Sequence, residues 1–122
     1  PTPEKVFSRE DIIMFQELVR KVPVADEVIN YAVTLVGKTR PTNNNVPKYV
    51  KDYVQWGAGP RASQYLILGA KAQCILNGRY SPSIDDVKAV AKPVLRHRLI
   101  LNFNAEADNL TVLDLIDKLI NE

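Results

Sequence analysis

Cysteine, histidine, methionine and tryptophan each occur once in this 122-residue chain. With Cys74 alone, no disulfide framework and no cysteine metal site can be assembled. His97 is accompanied by no second histidine and by no Cys or carboxylate at metal-ligand spacing, so it reads as a structural residue at a helix end rather than a ligand or general base. No apolar run approaches the roughly 20 residues of a membrane span, which excludes insertion as a helix. A formal charge of +2 is too small to argue for nucleic acid or for steering by the whole protein. Neither alternating strand patterns nor internal repeats are visible, and no nucleophile, base and orienting group can be assembled into a hydrolase-like site. The absence of a signal or transit peptide predicts a cytoplasmic protein, and a start at Pro-Thr-Pro instead of Met predicts a fragment of a longer chain.

What remains is an ordinary globular composition, 46% hydrophobic and 25% charged, at a length suited to one domain. Ser8 with Asp11 forms a capping box for a helix over about 9–21, carrying Ile12, Phe15, Val19 and Val22 at helical spacing. Pro23 stops it. A second helix starts at Asp26, lines up Val28, Ala32, Leu35 and Val36, and ends at Gly37 and Pro41. The run PTNNNVP, 41–47, reads as a loop. Tyr49, Tyr53 and Trp56 fit one face of a short helix and fit an extended approach to the following glycines equally well. Ser83 with Asp86 opens another helix bearing Ile84, Val87, Val90 and Ala91, and Pro93 either kinks it or separates a short helix over VLRHRLI. Residues 102–110 read as a loop, and Thr111 caps a last helix carrying Val112, Leu113, Ile116, Leu119 and Ile120. The expected fold class is all-α, a bundle of about five or six helices without significant sheet.

The stretch Trp56 to Arg79, WGAGPRASQYLILGAKAQCILNGR, organises the rest. From Ala62 to Leu76 only Ser63, Gln64, Lys71 and Gln73 are polar, so nearly every face of this helix is expected to be covered. Gly57 and Gly59 allow tight or left-handed geometry, Pro60 suits a first helical position, and Gly78 suits the C-terminal cap. Arg61 then falls in the first turn, where the helix dipole disfavours a cation. Either it is an ordinary surface arginine, or it shares an anion with the N–H groups of the helix start.

Two fragments imitate nucleotide motifs. Ala32 to Thr39, AVTLVGKT, matches a relaxed phosphate loop, yet it continues an amphipathic helix where such a loop joins a strand to a helix. Gly57, Gly59 and Ala62 match G-x-G-x-x-A but lack a preceding strand and an acidic residue about 20 positions on. Lys88, Lys92 and Arg96 recur every four residues and make a basic ridge only if the helix continues through Pro93. That ridge supports the alternative reading, a free-standing helical interaction module for an acidic protein or nucleic acid.

Taken together, Gly57-Ala58-Gly59-Pro60-Arg61-Ala62-Ser63, Ser83-Ile84-Asp85-Asp86-Val87, Pro93-Val94-Leu95 and His97-Arg98-Leu99, with Val22-Pro23-Val24 and Thr39-Arg40, resemble the C-terminal lid domain of MoxR-family AAA+ ATPases. The resemblance covers about residues 8–100, within one lid domain taken as 1–122 in which 101–122 form a less diagnostic C-terminal helical extension. Gly59 stands where the family commonly has serine. The resemblance implies that Arg61 is the second sensor, an arginine approaching the γ-phosphate of ATP, with Ala58 and Pro60 on the wall of the nucleotide pocket. It implies ATP and Mg2+ as ligands of the full-length protein and none bound by the fragment alone. Its implied partners are a preceding N-terminal α/β AAA+ domain, neighbouring subunits of a ring, usually a hexamer, and a von Willebrand factor A domain protein.

Overall fold

The structure is a computed structural model describing residues 8–121, so the outermost residues of the expected domain, 1–7 and 122, lie outside it. Seven helices and one short strand pair occur among the described residues. Helix α1 (Arg9–Lys21) starts at the expected capping box, in which Ser8 and Asp11 exchange two bonds of 3.1 Å. Helix α2 (Asp26–Lys38) presents Val28, Ala32, Leu35 and Val36 to the core. The segment that sequence left open divides into both alternatives, a short helix α3 (Lys48–Tyr53) followed directly by a strand β1 (Val54–Trp56). Then come α4 (Arg61–Leu76), α5 (Ile84–Leu95), strand β2 (Ile100–Leu101), α6 (Phe103–Ala107) and α7 (Val112–Ile120).

Two local expectations are corrected. Pro93 does not divide α5, because Val87, Ala91 and Leu95 continue one buried stripe through it. No helix spans VLRHRLI: α5 ends at Leu95, the Arg98 N–H closes a turn onto the Leu95 carbonyl at 2.9 Å, and the chain enters β2. Antiparallel pairing of Val54 with Leu101 and Trp56 with Ile100 overrides the local helical preference. The expected loop over 102–110 contains α6, because the Asn102 side chain caps it by accepting from the Ala105 N–H at 3.1 Å. Asn102 also donates to the Asp52 carbonyl at 2.8 Å, and the Tyr53 hydroxyl donates to Asp108 at 2.6 Å, so α6 is pinned to α3.

Helix α4 occupies the centre, but its covering is less complete than its composition predicts. Ala62, Leu66, Ala70 and Cys74, spaced four apart, are buried, while Tyr65, Leu68 and Leu76 remain exposed. Its small residues let α5 come close: a methyl added at Gly69 would lie 3.2 Å from Cγ2 of Val90. Helix α1 lies on the outside of the bundle and buries only Val19, leaving Ile12, Ile13, Met14 and Leu18 exposed. Helix α7 is integral, since Leu115, Ile116 and Leu119 join the same core as Leu35, Leu66 and Leu95. Lys92 pairs with Asp117 at 2.9 Å and Lys118 lies over the Tyr49 ring at 5.1 Å, fastening α7 to α5 and α3. No helix among the described residues is long and apolar enough to cross a membrane.

The C-terminal end of α4 is closed as expected by Gly78, at φ 75, with the Arg79 N–H reaching the Cys74 carbonyl at 2.8 Å and the Gly78 N–H reaching Ile75 at 3.0 Å. That wrapping turns the Arg79 side chain toward α5. Its guanidinium grips both oxygens of the buried Asp86 carboxylate at 2.7 and 2.5 Å, and the Ser83 N–H adds a third bond at 2.7 Å. Arg79 first, then the Ser83 N–H, hold the Asp86 carboxyl below its ordinary 3.8 against the opposing effect of burial. A carboxyl lowered by folding stabilises above its unfolded pKa and loses that contribution as pH falls through the folded value. Urea titrations from pH 7 to pH 2 should therefore show stability falling below about pH 4, with Asp86→Asn flattening that fall and costing about 1–3 kcal/mol at neutral pH. An unaltered acid limb in the variant would reject Asp86 as its source.

Candidate functional site

The N-terminal end of α4 is positioned by the end of α2. Thr39 is wholly buried; its hydroxyl donates to the Val36 carbonyl at 2.7 Å and accepts from the Ala58 N–H at 2.9 Å. The loop before α4 is thus tied to the last turn of α2 through one side chain. The contact is so close that a Cβ at Gly57 would lie 2.7 Å from both the Arg40 Cα and the Thr39 carbonyl carbon, and closer still to the Thr39 carbonyl oxygen. Gly57 is required by this approach, not by a left-handed backbone. Gly59 is required by neither, since a Cβ there meets nothing within 4 Å and its φ is not positive. Thr39→Val should leave the Ala58 N–H buried without its acceptor and cost about 1–3 kcal/mol in chemical denaturation, whereas a cost near zero would show that the loop is held by other contacts.

Above this anchor, Pro60 already has helical dihedrals, φ −60 and ψ −28, one residue ahead of α4 proper. No side chain caps the helix and no acidic residue occupies its first turn. Ser63 is turned back to the Pro60 carbonyl at 3.0 Å. Arg61 and Pro60 are exposed, and the Arg61 guanidinium has no hydrogen-bond or ion-pair partner among the described residues. Ala58, expected on a pocket wall, is wholly buried in the core and anchors the turn from inside. A shallow hollow of about 260 Å³ lies beside Pro60, lined also by Gly37, Arg40, Asn43 and Ser63.

The C-terminal end of α5 arrives at the same place. Arg98 lies over the Tyr65 ring, 4.5 Å from its centroid, and donates to the Val94 carbonyl at 2.7 Å. Segments 28–51, 53–84 and 87–105, which supply this end of the bundle, contain no Asp or Glu. The Thr39 anchor and the Arg98–Tyr65 stack were not visible in the sequence, because each joins residues more than fifteen positions apart. Arg40, Arg61 and Arg98 are therefore brought to one pole by α2, α4 and α5.

The other sequence candidates fall elsewhere. Gly37 and Lys38 complete α2, and the buried Thr39 hydroxyl is already committed, so GKT forms no phosphate loop. The basic ridge is continuous along α5 only as far as Leu95, and two of its members are engaged: Lys88 lies over the Tyr31 ring at 5.9 Å and Lys92 pairs with Asp117. His97 is exposed in the turn after α5. Among the described residues no group of three or more His, Cys, Asp or Glu could hold a metal ion.

Comparison with known proteins agrees with this geometry. The sequence model of the AAA lid domain family matches residues 47–119. The chain is 33% identical over 111 residues to the chaperone MoxR1 of Mycobacterium tuberculosis, a match covering 91% of this chain and 29% of that protein. It is 32% identical over 109 residues to the uncharacterized protein YeaC of Bacillus subtilis, covering 89% of this chain and 31% of the relative. A crystal structure of a proposed ATPase from Cytophaga hutchinsonii superposes with a TM-score of 0.83 at 30% identity, over 92% of this chain and 34% of that one. The chain thus spans about a third of the length of the relatives it matches. Helical architecture, the anchored turn before α4 and similarity along nearly the whole chain converge on one conclusion: the chain belongs to the AAA lid domain family, in the form found in MoxR proteins.

Proposed function

We propose that this domain closes over ATP held by an N-terminal α/β domain of the same protein, and that Arg61 is its second sensor, meeting the γ-phosphate. The observation that carries the reading is Arg61 itself: a solvent-facing cation without a partner among the described residues, at the uncapped N-terminus of the central helix, on a turn fixed by the Thr39 anchor. A cation there opposes the helix dipole, and a polyanion between Arg61 and the helix start reverses the sign of that conflict. Pro60 would stand beside the phosphates, and Ala58 would hold the turn from within. During phosphoryl transfer, Arg61 would stabilise charge on the equatorial oxygens and make the lid angle depend on the phosphate present.

The residues described here do not form a carboxylate cluster for Mg2+, so its ligands would belong to the rest of the protein. Ring assembly as a hexamer, a chaperone-like role in the cytoplasm and an alliance with a von Willebrand factor A domain protein complete the proposal by family likeness. The test is steady-state ATP hydrolysis by the full-length protein with Arg61 replaced. Unchanged turnover would sink the assignment of Arg61.

A further inference from the structure

We propose that Arg98 is a second cation for the phosphates of the same nucleotide, seated for that purpose on the ring of Tyr65. The inference rests on the reading of this pole as an ATP site and adds to it a residue from the turn after α5. Arg98 is exposed, lies 4.5 Å from the Tyr65 centroid, and commits one Nη to the Val94 carbonyl at 2.7 Å. A guanidinium carries five N–H donors, so most of its donors remain unspent. No carboxylate pairs with it among the described residues, in contrast to Arg79, whose fork is filled by Asp86.

Tyr65 determines where this cation points. It follows Arg61 by four residues, so the two side chains share a face of α4 with Cβ atoms about 5–6 Å apart. Aromatic side chains on a helix lean toward its N-terminus, so the Tyr65 ring covers the turn that bears Arg61. The face of that ring then holds a flat guanidinium in register, which a lysine ammonium could not match in planarity. Arg61 would reach the terminal phosphate from the helix start, and Arg98 would approach the chain of phosphates from the α5 side.

A purely structural arginine, shielding the end of α5 and the tyrosine ring, would influence melting and leave nucleotide kinetics alone. In the full-length protein, Arg98→Ala should raise KM for ATP by about tenfold while kcat changes less than that of Arg61→Ala. Arg98→Lys should recover part of the loss, and Tyr65→Leu should raise KM as Arg98→Ala does, whereas Tyr65→Phe, which keeps the ring face, should not. Should Arg98→Ala fail to fold, Arg98→Gln, which removes the charge but keeps a polar side chain, takes its place. Wild-type KM in folded Arg98 and Tyr65→Leu variants, beside lost turnover in Arg61→Ala, would overturn this proposal and leave the ATP reading standing. Silence at both arginines overturns both, and a KM effect at Arg98 beside a silent Arg61 rejects the role of Arg61 alone.

Discussion

In the full-length protein, Arg61→Ala is expected to lower ATP turnover by about tenfold or more, a loss of at least about 1.4 kcal/mol of transition-state stabilisation. The expected size follows from position. Arg61 contacts no carboxylate among the described residues, so under the proposed role its guanidinium would be available to developing charge on a phosphate. For the same reason the substitution should be nearly silent in the fold, within about 0.5 kcal/mol, and relief of the dipole conflict could even favour the variant. Arg61→Lys should recover only part of the activity, since an ammonium keeps the charge but loses the planar two-pronged grip. Turnover against ATP concentration, with a melting curve for each variant, separates a lost contact from a lost fold.

A methyl group at position 57 should have the largest effect on stability of any small substitution in this domain. Gly57→Ala places a carbon against the backbone of Thr39 and Arg40, and a backbone cannot swing aside as the end of a side chain does. The loop would have to lift from α2, breaking the bond between the Ala58 N–H and Thr39 and withdrawing Ala58 from the core. A cost of about 3 kcal/mol or more is expected, combining overpacking with a buried donor left unpaired. Gly59→Ser, two residues away, is the matched control: a Cβ there meets open space, so the change should stay within about 0.5 kcal/mol. Equal denaturation midpoints for the two variants would refute this account of the turn. Any Gly57 variant that still folds should also hydrolyse ATP poorly, because the lifted loop no longer aims Arg61.

The helices were legible in the sequence where periodicity and caps agreed, as at Ser8, where the structure repeats the expected reciprocal bonds with Asp11, and at Thr111, which caps α7 as expected and adds a reciprocal bond with Asp114. Legibility failed where a distant partner outweighed the local pattern. The alternative of a short helix over VLRHRLI gives way once β1 pairs with Ile100 and Leu101, and residues 102–110 read as loop until α3 supplies partners for Asn102 and Asp108. At the site, Arg61 stood out because a cation in a first turn is anomalous by itself. Thr39 did not, since a threonine beside Gly-Lys looks like part of a false phosphate loop. Arg98 and Tyr65 are unremarkable in sequence and become a pair only when α5 runs antiparallel to α4. Gly57 and Gly59 look alike in sequence, as residues that allow a tight turn, and only the close approach of Thr39 and Arg40 distinguishes Gly57 as the one that must lack a side chain.

Helix α4 is braced at both ends, by the Thr39 bond beside Arg61 and by the Arg79–Asp86 grip beyond Gly78. A rod so fixed cannot absorb a displacement at one end by bending at the other. Its 16 residues span about 24 Å at 1.5 Å each, so a rotation of about 10° about the Arg61 end carries the far end through about 4 Å. Under the proposed role of Arg61, the exposed side chains of Leu76 and Tyr80 would travel with that far end, and the domain would act as a lever whose short arm is one arginine.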